Sequence, residues 1–134
     1  MKAKISLITL GVRSFDASLA FYRDGLGFPT HAYEPAKQMV MLRLDGTWLG
    51  LYPRDALAND AGVATDGSGF PGFALAHNVA SPEEVDAVFQ KAIGAGAATI
   101  KAPGTVFWGG YSGYFADLDG FLWEIAFNPF TDLT

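Results

Sequence analysis

The chain has 134 residues, half of them apolar and 14% aromatic, which is enough for one folded domain with a real core. The absence of cysteine excludes a disulfide scaffold, thiolate-bound zinc, an iron–sulfur cluster and a cysteine nucleophile, and two histidines limit any imidazole-based metal site. A formal net charge of −5 argues against a nucleic-acid partner, which needs a basic patch, and suits a neutral or cationic ligand.

The apolar run from Ile5 to Val12 is too short for a membrane span of about 20 residues, and no small-residue cleavage site follows it. A cytoplasmic protein without a membrane partner is expected. The run itself reads as a buried strand. Ser14 is set to cap a helix with Asp16 in its first turn, and Phe15, Leu19, Tyr22 and Leu26 share one face of that helix. Gly25 and Gly27 end it. Residues 30–34, 38–44 and 47–52 read as three short strands, the last two joined by an Asp45-Gly46 hairpin turn. From Pro53 to Pro71 the composition turns to Gly, Asn, Asp and Pro, the mark of a linker.

The pattern then restarts. Residues 72–79 read as a strand, and Ser81-Pro82-Glu83-Glu84 carries the signs of a capping box. Val85, Val88, Phe89 and Ala92 form the apolar face of the helix that follows. Strands are expected near 97–102, 111–117 and 121–127, with Asp119-Gly120 as the last hairpin turn. A shift of 67 places Val12 on Val79, Ser14 on Ser81 and Tyr22 on Phe89; a shift of 74 places Gly46 on Gly120 and Leu51 on Ile125. The chain therefore writes one strand–helix–three-strand unit twice: module 1 over 1–53, a linker over 54–71 and module 2 over 72–134. The change of offset puts about seven extra residues in the second unit, between Pro103 and Gly110.

The stretch Ser18-Leu-Ala-Phe-Tyr-Arg-Asp-Gly-Leu-Gly-Phe28 and the stretch Tyr114-Phe-Ala-Asp-Leu-Asp-Gly-Phe-Leu-Trp-Glu-Ile125 resemble the helix end and closing hairpin of the vicinal oxygen chelate superfamily. That superfamily holds glyoxalase I, extradiol dioxygenases and bleomycin-binding proteins. Leu118 departs from the proline usual in the hairpin. The resemblance implies an α+β fold, in which two βαβββ modules form a cup-shaped mixed sheet with helices outside. It also implies a divalent metal in that cup, held by side chains at positions matching Leu7, Gly50, Ala74 and Glu124. Only Glu124 has a donor, whereas a catalytic divalent site needs about three protein ligands. His77 lies an odd number of residues from Ala74 and so faces the helix layer, where it is expected to pack. His31 is able to face the cup. No cofactor is expected.

Glu124 reads either as a ligand anchor or base, or as a relic bonded to a neighbouring Tyr or Trp. Trp48, Gly50 and Tyr52 alternate onto one strand face, as a stacking wall for a flat ligand or as core or dimer contacts. Phe107-Trp108-Gly109-Gly110-Tyr111-Ser112-Gly113-Tyr114 is aromatic and glycine-rich and lacks a phosphate-loop pattern; it reads as a bulged strand entry before the final hairpin that also brings Trp108 and Tyr111 to the cavity mouth. The resulting expectation is a homodimeric, metal-independent small-molecule-binding protein. Its ligand, aromatic or cationic, meets Glu124, Trp48, Tyr52, Trp108, Tyr111 and His31. The alternative is a lyase, isomerase or dioxygenase with a metal on Glu124, His31 and further donors.

Overall fold

A computed structural model describes residues 7–61, 64–65, 67, 71, 74–132 and 134. The chain divides into two compact units, Met1–Ser68 and Gly69–Thr134.

The first unit runs β1 (Leu7–Val12), α1 (Phe15–Leu19), a π-wound segment (Ala20–Gly25), β2 (Thr30–His31), β3 (Val40–Leu42), β4 (Trp48–Pro53) and α2 (Arg54–Ala61). Its sheet has the order β1-β4-β3-β2, with β1 and β4 parallel and the other pairs antiparallel. Strand alternation sorts the side chains cleanly. Leu10, Val12, Val40, Leu42, Leu49 and Leu51 are buried and share one face. The helical segment adds Phe15, Leu19, Phe21 and Tyr22 to the core. Within the π-wound segment Phe21 and Tyr22 are both buried, and their rings meet edge to face at 5.0 Å. Full burial of each such side chain contributes about 1.5–3 kcal/mol.

The second unit runs β5 (Leu75–Asn78), α3 (Pro82–Gly94), β6 (Ala98–Thr105), β7 (Tyr111–Ala116) and β8 (Leu122–Phe127), in the sheet order β5-β8-β7-β6. Again the first and last strands pair in parallel. Val85, Phe89 and Ala92 of α3 are buried, and Phe89 meets Phe115, which stacks on Trp123. The helix start behaves as a capping box with a small shift. Ser81 Oγ accepts from Glu84 N at 3.2 Å, while Glu84 Oε2 accepts from Ala80 N at 2.9 Å, one residue before the cap.

Three expectations need correction. The stretch after Pro53 is not linker throughout: Arg54–Ala61 forms α2. Ala56, Leu57 and Ala58 favour a helix, and Leu57 packs over Gly11, where a Cβ would stand 3.3 Å from Leu57 Cδ2. Parts of residues 62–73 lie outside the described residues. The strands expected over 30–34 and 38–44 shrink to two and three residues. His77 pairs with Ile125, on the parity expected, yet it is exposed rather than packed behind the sheet, because β5 is an edge strand of its unit.

The closing hairpin shows why Leu118 is tolerated. Buried Asp117 accepts from Asp119 N at 3.0 Å and from Phe121 N at 2.8 Å, and Gly120 takes φ of +92°. The turn is fixed by its flanks, so position 118 needs no proline.

Candidate functional site

The face of each sheet opposite its own buried core carries the residues of interest. In the first unit, register places Thr9, Gly50, Met41 and His31 side by side across β1, β4, β3 and β2. In the second unit, the corresponding rung across β5, β8, β7 and β6 is Ala76, Glu124, Tyr114 and Lys101. The offsets of 67 for Thr9 and Ala76 and of 74 for Gly50 and Glu124 are those found in the sequence repeat. The rungs are structurally equivalent and chemically unlike.

The first rung is apolar apart from its ends. Gly50 is buried, and a Cβ at this position would stand 3.0 Å from Thr9 Oγ1. A Cβ at position 50 would therefore press on the Thr9 hydroxyl. Trp48 and Tyr52 flank Gly50 on the same face, both half-buried, while Leu49 and Leu51 point into the core. His31 is exposed and its ring lies 4.9 Å from that of Trp48, tilted by 56°. Ala32, next to His31, has φ of +46°, a left-handed conformation costly for a residue with a Cβ. Trp48, Tyr52 and His31 are thus gathered on one face around Gly50.

In the second rung Glu124 is half-buried beside Tyr114. Burial raises the Tyr114 phenol above the ordinary tyrosine value, and the charge of Glu124 and the hydrogen bond the phenol donates to it raise it further. Tyr114 is the residue that sequence reasoning did not single out. The register of the Asp119-Gly120 hairpin would have found it, since counting outward from that turn sets Tyr114 opposite Glu124. Gly113 shapes the other flank. A Cβ there would meet Pro103 N at 2.8 Å and Lys101 O at 3.0 Å, so only glycine admits the irregular stretch of β6 that sets Lys101 against Tyr114.

Trp108 and Tyr111 do not join Glu124. Tyr111 pairs with Phe127, one parity away from Glu124, and its hydroxyl donates to Asp86 of α3 at 3.0 Å. Trp108 is 36% exposed in the turn before β7, with its ring over Gly110. Of the positions matched to metal ligands, Leu7 pairs with Trp48, and Ala74 lies just before β5. Among the described residues no three His, Cys, Asp or Glu side chains cluster, and no helix is long and apolar enough to cross a membrane. A cavity of about 410 Å³ lies at the far end of β5 and β8, lined by Asn78, Phe127, Phe130 and Asp132 among others. It contains none of the expected site residues.

Residues 4–125 match the model of the Glyoxalase/Bleomycin resistance protein/Dioxygenase superfamily, and the chain belongs to that superfamily. A glyoxalase-related enzyme from Fulvimarina pelagi is 34% identical, with a TM-score of 0.83 over 95% of this chain and 89% of that one. A glyoxalase/bleomycin resistance protein/dioxygenase family enzyme from Burkholderia phytofirmans is 26% identical, with a TM-score of 0.81 over 93% of this chain and 98% of that one. A lactoylglutathione lyase from Agrobacterium tumefaciens shares the fold at 20% identity, with a TM-score of 0.71 over 96% of each chain. No curated protein matches the sequence. The α+β fold with two repeated units is that of this superfamily.

Proposed function

We propose that the protein is a metal-independent small-molecule-binding member of the superfamily, which holds a flat aromatic ligand against Trp48, Tyr52 and His31 on one face of the first unit's sheet. The observation that carries this reading is the buried glycine at position 50, packed closely against Thr9. A metal ligand cannot project from Gly50, and Leu7 and Ala74 supply no donor, so the residues present do not fit the divalent ion of the family. What stands there instead is a glycine floor between two aromatic side chains, a surface on which a planar ring stacks. In this reading the protein works as a cytoplasmic homodimer, and nucleic acid and membranes are not partners.

The test is metal analysis and ligand titration on one preparation. Stoichiometric binding of Ni²⁺, Zn²⁺ or Mn²⁺ that is lost in Glu124→Gln would sink the metal-independent reading. Quenching of tryptophan fluorescence by neutral aromatic compounds, retained in Trp108→Phe and lost in Trp48→Ala, supports it. The second reading, a metal-dependent lyase, isomerase or dioxygenase, draws on the Fulvimarina pelagi relative, itself a glyoxalase-related enzyme. It predicts that added metal is bound and that turnover depends on it.

A further inference from the structure

We propose that the rung Glu124–Tyr114–Lys101 recognises a small amphoteric molecule, one that carries a protonated amine at one end and a carboxylate at the other. This rests on the binding-protein reading and names a ligand class for the sheet of the second unit.

The argument starts from hydrogen-bond inventory. Tyr114 stands opposite Glu124 in register, and an ionised carboxylate has lone pairs alone to offer. Over β8 and β7 a ligand therefore meets the acceptors of the carboxylate and a phenol that can both donate and accept. Such a pair takes a donor, and the negative charge of Glu124 favours a cationic one. Lys101 stands on the other side of Tyr114 in register and offers donors alone. A ligand lying across the three strands therefore meets acceptors over β8 and a cation over β6. Strands are about 4.8 Å apart, so two steps separate the backbones of Glu124 and Lys101 by about 10 Å. A ligand bearing its two charges on opposite ends of one rigid ring matches that polarity along its own length.

Two features mark the rung as built. Glycine at 113 is required for the close passage of β6 that sets Lys101 in place. The equivalent rung of the first unit, Thr9–Gly50–Met41–His31, has no carboxylate and no phenol, so the polar pattern is not imposed by the fold.

The experiment is calorimetric titration of the full chain at neutral pH and low salt with 4-(aminomethyl)benzoate, benzylamine and benzoate. The amphoteric compound is expected to bind at least tenfold more tightly than either of the others. Glu124→Gln should remove its advantage over benzoate, Lys101→Met its advantage over benzylamine, and Tyr114→Phe should weaken it severalfold. Circular dichroism checks that each variant folds. Equal binding of all three compounds, or an unchanged order of affinities in both charge variants, overturns the proposal. A neutral probe, naphthalene, separates the two levels. If naphthalene binds in a Trp48-dependent way while charge makes no difference, this inference falls alone. If no probe binds, both fall.

Discussion

The two units have the same strand order and the same parallel closure, yet their equivalent rungs differ completely. One reads threonine, glycine, methionine and histidine, the other alanine, glutamate, tyrosine and lysine. The difference teaches that core-facing positions of the middle strands stay apolar across the repeat while the opposite face is free to diverge. Leu51 and Ile125 occupy corresponding positions and are both buried, whereas their neighbours Gly50 and Glu124 share nothing but register. A core position must fill volume on pain of several kcal/mol; a rung position answers only to what it touches.

The largest expected effect breaks the conserved half of that comparison. Phe115→Ala removes the ring between Phe89 and Trp123 and should cost about 3–5 kcal/mol in urea unfolding. A loss below about 1 kcal/mol would show that α3 does not rest on this face in solution. Next comes the divergent half: Trp48→Ala should weaken binding of neutral aromatic compounds by tenfold or more, about 1.4 kcal/mol, while Trp108→Ala leaves it unchanged. Equal losses would mean that the first rung is not the stacking surface.

The two helix starts give a smaller contrast. Ser81→Ala breaks a reciprocal cap on a 13-residue helix and should cost about 1 kcal/mol. Ser14 makes a single bond, to Ala17 N at 3.3 Å, and Ser14→Ala should cost less. Thermal unfolding of the two variants side by side decides it. The smallest effect is on pH dependence. The Tyr114 phenol is raised in the folded state, so the folded chain resists ionising it and stability falls as pH climbs past the ordinary tyrosine value of about 10. Tyr114→Phe should flatten that fall, and Glu124→Gln should lower the phenol's titration midpoint, read from tyrosinate absorbance.

The fold was legible because its signals were local. Ser81-Pro82 and Asp119-Gly120 each carry their own conformational chemistry, and the repetition of the pattern supplied the rest. The α2 helix was missed because its eight residues are weakly amphipathic and follow Pro53 without an N-cap signal, so nothing distinguished them from the polar stretch beyond. The π turn was missed because no residue type encodes it. At the site, alternation alone placed Trp48 and Tyr52 together. Tyr111, expected at the cavity mouth, lies off the face of Glu124, since parity separates the two, and aromatic content says nothing about parity.

The parallel pairing of β1 with β4, and of β5 with β8, has a kinetic consequence. In each unit the first strand has no partner in its own sheet until that unit's last strand has been made. Loop closure must come first, and the reward comes only after it. Each unit should therefore form late and cooperatively, and a chain halted before Leu122 should leave the hydrogen-bonding edge of β5 open to other chains.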